Sequence, residues 1–233
     1  MSISIRHSIR WLPGAPSEPT STVVLTSPEH RFVDVRILKD TNEPDASLDW
    51  AFAGISSSEI RNGVRHCIWR HLVDSRTAMP ITVVDEGDIF PQDNGQTLET
   101  GRMMNPATEK LADYEEMWTD LEPEGIPGGN KNSGELIEQL RGRCVVLELE
   151  DEHQGRGMAV CLGRHYQGVV RTGQRFAAER WLWEDGEWRR KFRVGNLWIP
   201  GPEHMYSDTL SQGEQIRLED TFVRWRVVEM SYS

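Results

Sequence analysis

The chain is poor in cysteine. Cys67, Cys144 and Cys161 are widely spaced, and no C-x-x-C pair occurs. A sparse, odd set makes neither a disulfide scaffold nor a zinc site. Positive charge is also scarce: 26 Lys and Arg stand against 37 Asp and Glu, a formal net charge of −11. A general nucleic-acid binder needs a basic footprint, so no nucleic-acid partner is expected. No run approaches the roughly 18 apolar residues of a membrane-spanning helix. Arg6, His7 and Arg10 are not followed by the apolar stretch of a signal peptide, and there is no N-x-Ser/Thr acceptor. These absences lead us to expect a cytoplasmic protein without a membrane span.

Motifs of familiar chemistry are missing too. There is no G-x-S-x-G elbow. Gly155-x-Gly157 lacks a third glycine, and Gly128-Gly129 is not followed by Gly-Lys-Ser/Thr in register, so no nucleotide cofactor is expected. His66 and His71 are five apart on an expected strand, which puts them on opposite faces. No metal site follows, and His66 reads as a partly buried, hydrogen-bonded residue. The acidic cluster Asp85-Glu86-Gly87-Asp88 and Glu99 read as turn chemistry at strand ends, with carboxylates bonding nearby amides.

What the chain does have is tryptophan, nine against six Phe and four Tyr, in 233 residues. That length allows one large domain or two small ones. Charge is uneven along it. Residues 1–125 hold 11 basic and 21 acidic side chains, and residues 126–233 hold 15 and 16. The boundary coincides with Pro123–Gly134, too rich in Pro, Gly and Asn to pack as a regular element. We therefore expect an N-terminal unit over 1–124, a linker over 125–134 and a C-terminal unit over 135–233.

The dominant hydrophobic period is two. Ser21–Thr26 and Arg31–Leu38 flank a turn, and the second alternates Phe32, Asp34 and Arg36 against Val33, Val35 and Ile37. Val64–Val73, Ile81–Val84, Leu98–Met104, Arg143–Glu150, Gly157–Val170 and Phe222–Met230 read as further strands. Phe176–Trp183 and Trp188–Val194 flank Asp185-Gly186, a strong hairpin signal. Helical spacing appears in Glu109–Leu121, through Leu111, Tyr114, Met117, Trp118 and Leu121, and in Gly134–Leu140. So many antiparallel strands close best as barrels, because closure removes exposed edges. The expected fold is all-β: two tandem antiparallel barrels with short helices.

Several segments resemble one known family. Asp49-Trp50-Ala51-Phe52-Ala53-Gly54 looks like its W-A-F-A-G signature. Asp93-x-Gly95 followed by Glu99-Thr100-Gly101 keeps a D-x-G-x-x-x-E-T-G spacing. Trp118, Val146-Leu147 with Asp151, Gly163-Arg164-x-x-Gln167-Gly168 and Trp225-x-Val227-x-Glu229 follow in the family's order. The resemblance is to the fungal Hri family, and it implies tandem lipocalin-like barrels, a kinase as protein partner and no assigned catalytic residues. It also favours strand over helix near Trp118. Trp181, Trp183, Trp188 and Trp198 have no counterpart in the family pattern.

Those tryptophans set the functional expectation. Trp181 and Trp183 are two apart and share a strand face, with Trp188 just beyond the hairpin turn. With Trp198, and with Trp50, Phe52, Trp69 and His66 in the first half, they are candidates to line a cavity for a hydrophobic small molecule. Tyr166, His165 and Glu179 are the candidate polar, catalytic groups. Such a pocket would act without cofactor, as a carrier or as a cyclase or isomerase of the Diels–Alder kind in fungal polyketide or terpenoid biosynthesis. The other reading is a non-enzymatic, kinase-associated protein whose acidic half meets a basic partner.

Overall fold

The computed structural model describes residues 1–39, 47–126, 142–150, 155–207, 210–218 and 223–232. The expected helix Gly134–Leu140 and most of the expected linker 125–134 lie outside the described residues. The chain is all-β, with two single-turn 3-10 segments, Pro80–Thr82 and Pro202–His204, among the described residues. No described helix is long and apolar enough to cross a membrane.

Eight strands form the first half: β1 (Ser2–Trp11), β2 (Thr20–Thr26), β3 (Arg31–Leu38), β4 (Leu48–Arg61), β5 (Val64–Asp74), β6 (Glu86–Pro91), β7 (Thr97–Asn105) and β8 (Lys110–Leu121). Each pairs antiparallel with the next, and β8 pairs back onto β1 from Ile3↔Leu121 to Trp11↔Tyr114, closing the barrel. The helical reading of Glu109–Leu121 is thus corrected. As a helix it would leave β7 and β1 with open edges. As a strand it turns Tyr114, Glu116 and Trp118 to the inside. Ile81–Val84 is not a strand either. It belongs to the β5–β6 connection, where Ile81 is 90% exposed.

The expected second barrel is also corrected. Strands β9 (Cys144–Glu150), β10 (Arg156–Leu162), β11 (His165–Thr172), β12 (Arg175–Glu184), β13 (Glu187–Val194), β14 (Gln215–Arg217) and β15 (Arg224–Ser231) form an open sheet, in the order β13-β12-β11-β10-β9-β15-β14. It does not close because neither face needs an inside of its own. One face packs on the barrel wall: Met158, Val160 and Val169 meet Val33, Val35 and Ala53 in a single core. The other face carries Leu147, Tyr166 and Trp225, covered by Trp198, Ile199, Met205 and Leu210. Accordingly β10 is buried at every position from Gly157 to Leu162, as expected of a strand enclosed on both faces.

Polar side chains stitch the two sheets together. Gln167 Nε2 donates to the carbonyls of Val23 and Val33, 2.9 Å each. Arg180, lowered to about 10 by burial, donates to Gln167 Oε1, to Ser21 and to the carbonyl of Val35. These bonds satisfy groups that would be costly to bury unpaired.

Candidate functional site

Because the apolar residues of β3 and β4 face the second sheet, their polar and aromatic neighbours face the barrel interior. Strand alternation permits nothing else. Phe32, Asp34 and Arg36 enter from β3, and Trp50 and Phe52 from β4. Thr20 and Thr22 are buried on β2, as are Glu99 on β7 and Glu116 on β8. A cavity of about 360 Å³ opens at one end of the barrel. Its wall includes Val24, Phe52, Trp69, Met103 and Trp118, and its floor Arg36, Asp85, Glu99 and Glu116. The exposed residues His30, Ser57, Arg65 and Asp120 also line it.

The floor is a network of buried charges. Arg6 donates to Glu116, to Glu18 (3.0 Å) and to Thr20 (2.8 Å). Arg36 donates through Nε and Nη2 to Asp34 Oδ2, at 3.0 and 2.8 Å, and its Nη1 lies 3.6 Å from Glu116. His71 sits between two carboxylates, Nδ1 2.8 Å from Asp74 and Nε2 3.0 Å from Asp85. Burial alone would lower the pKa of His71, but the hydrogen bonds to Asp74 and Asp85 outweigh it and raise it. Trp50 Nε1 donates to Asp74 at 3.0 Å, and the His71 ring stacks on Phe52 at 4.2 Å.

Glu99 differs from the rest. Among the described residues its one hydrogen-bond partner is a neutral phenol: Tyr114 donates to Oε1 at 2.7 Å. Tyr114 gets there because position 101 is glycine, where a Cβ would lie 2.5 Å from the phenol oxygen. Burial, then the charge on Glu116, push the Glu99 carboxyl up to about 8. Its surroundings favour the neutral form.

The expected site residues divide between the halves. Phe52 and Trp69 line the cavity, and Trp50 stacks behind Phe52 at 4.3 Å. His66 bonds Asp88 at 2.8 Å and is not part of the lining. The second-half candidates lie apart from this cavity. Tyr166 Oη donates to the Pro200 carbonyl at 2.5 Å. Arg193 bonds Glu179 and donates to the Leu197 carbonyl at 2.8 Å. These polar groups therefore tie the covering segment to the sheet. His165 is lowered to about 4, first by burial and then by Arg180, so it is neutral. Trp183 packs edge-on to Trp188 at 5.8 Å, Trp188 touches Tyr206, and Trp198 lies 6.1 Å from His204. Trp181 lies under Arg190 at 5.4 Å. The free thiols are buried, and burial raises all three.

Sequence reasoning passed over Arg36, Asp85, Glu99, Tyr114, Glu116 and Trp118 as a group. Asp85 bonds His71 and Glu99 bonds Tyr114, side chains rather than turn amides, so the turn-chemistry reading fails for both. No group of side chains able to hold a metal ion occurs among the described residues.

The architecture defines an all-β class, a closed eight-stranded barrel packed by one wall onto an open sheet, with a polar-floored cavity in the barrel. The chain belongs to the Hri family: the family described as Protein HRI1 matches residues 2–229. The crystal structure of the uncharacterized protein YLR301w from Saccharomyces cerevisiae is similar, with a TM-score of 0.77 and 21% identity over 99% of this chain and 98% of that one. At that identity the likeness speaks for the fold alone. No curated protein matches the chain.

Proposed function

We propose that the protein binds a compact amphipathic small molecule in the mouth of its first barrel. In this reading 1–124 is the binding unit and 135–233 its support. The observation that carries it is the cavity itself. At about 360 Å³ it has the size of a small-molecule site, with an aromatic wall above convergent polar groups. Phe52, Trp69, Met103 and Trp118 would hold the apolar body, and Glu99 would meet the polar end.

Binding is favoured over turnover. Cyclisation of a bound polyene is the finer reading, but of its candidate acids and bases Tyr166 and Glu179 are engaged in the second sheet, and His165 lies on that sheet, outside the cavity lining. A kinase partner, implied by the Hri resemblance, would meet the outer surface and would leave the cavity free.

The test is equilibrium dialysis of the full chain against 2-phenylethylamine, 2-phenylethanol and 3-phenylpropanoate. At least one should bind with 1:1 saturation, and Met103→Trp, which fills the cavity, should abolish it. If none of the three saturates a site, the reading is wrong.

A further inference from the structure

Inside the barrel, almost every buried acidic group is paired with a basic side chain. Glu18 and Glu116 have Arg6, Asp34 has Arg36, and Asp74 and Asp85 share His71. Glu99 is the exception. Among the described residues it forms no ion pair, and its Oε2 takes no hydrogen bond. The rings of the cavity wall divide the same way. Arg36 lies 5.3 Å over Phe52 and Arg6 lies 5.9 Å over Trp118, whereas among the described residues no cation lies over the face of Trp69. The carboxyl and the indole left without a cation both line the same cavity.

We infer that the ligand of this cavity is an organic ammonium, a protonated amine on a compact apolar body. The ammonium would sit against Glu99, and Trp69 would supply a π face. A buried carboxylate and a positive charge within reach favour each other's charged forms. This inference rests on the cavity being a binding site at all. It goes further by naming the charge of what enters.

The proton balance follows from the groups around Glu99. Tyr114 and Glu116 face it from β8, Asp85 from the residue before β6, Arg36 from β3 and Cys67 from β5. Burial and the charges of Glu116 and Asp85 keep it protonated in the free protein. When RNH3+ enters, the Glu99 carboxyl gives its proton to solvent and becomes the counter-ion. One proton is released and no covalent bond is made. Amine affinity should therefore rise roughly tenfold per pH unit below about 8, then level off.

The experiment is calorimetric titration of the full chain with 2-phenylethylamine, 2-phenylethanol and 3-phenylpropanoate at pH 6, 7 and 8, each in two buffers of different ionisation enthalpy. The expected result is tightest binding of the amine, with close to one proton released at pH 7 and a steep gain with pH. Glu99→Gln should erase the pH dependence and the preference for the amine over the alcohol. Trp69→Leu supplies an independent arm, lowering amine affinity several-fold more than alcohol affinity. If the alcohol or the carboxylate binds as tightly as the amine, the ammonium inference fails while the binding site stands. If none binds, both fail together.

Discussion

The barrel and the open sheet bury their side chains by opposite rules. The sheet is apolar on both faces, with Val160 and Leu162 toward the barrel and Cys161 and Trp225 toward the covering segment. The barrel is apolar on the outside of one wall and charged within, with Arg6, Arg36, Asp34 and Glu116 all buried. Hydrophobic burial thus comes mainly from outside the barrel, where its wall meets the sheet. The interior is freed to hold a polar network, in which Arg6, Arg36 and His71 bond most of the buried carboxylates. Apolar packing and buried charge are assigned to different surfaces of the same strands.

That contrast can be broken first on the sheet. Trp225 is fully buried and packs over Gly157, where a Cβ would lie 2.5 Å from the indole. Trp225→Ala should cost about 3–5 kcal/mol, read as a lowered denaturation midpoint, because a large ring leaves a cavity in a packed core. An undiminished midpoint would mean that the covered face contributes little.

A smaller effect, of opposite sign, is expected in the barrel. The folded pKa of Glu99 is raised to about 8 from an unfolded value near 4.5. A carboxyl raised in this way contributes stability fully below pH 4.5 and loses it as pH rises through 8. Glu99→Gln does not titrate. The variant should match the native chain near pH 4.5 and exceed it by pH 9, by on the order of a few kcal/mol. Equal pH profiles for the two would show that Glu99 is not held in its neutral form.

Least of all is expected from Ile81→Ser. Ile81 is 90% exposed in the β5–β6 connection. The change should stay within about 0.5 kcal/mol, since it touches neither core nor network. A larger loss would assign that connection a packing role.

Much of the strand order was legible because alternation and turn dipeptides agree. Asp185 and Gly186, both at positive φ, join β12 to β13 as the sequence predicts. Asn62-Gly63 does the same for β4 and β5, a signal the sequence reading did not use. β1 was hidden because a bulge between Arg6 and Ser8 breaks its period. β8 imitated a helix because Leu111, Met117 and Leu121 on its outer face interleave with Tyr114 and Trp118 on the inner one. Of the cavity lining, Phe52 is legible from its spacing of two from Trp50, and Trp69 as an aromatic on a neighbouring strand. Glu99 and Glu116 were not, since acidic residues in a strand read as solvated until closure puts them inside. Trp198 was misplaced for a different reason. The segment that carries it has no period to show that it covers the sheet.

The central claim is that the ligand enters the barrel and leaves the sheet's cores alone. Methionine-methyl NMR of the full chain, titrated with 2-phenylethylamine at pH 8, tests this most directly. Met103 lines the cavity, Met158 lies between barrel and sheet, and Met205 lies under the covering segment. The account predicts a saturable shift at Met103 with Met158 and Met205 unmoved. A saturable shift at Met205 with Met103 unmoved would contradict it.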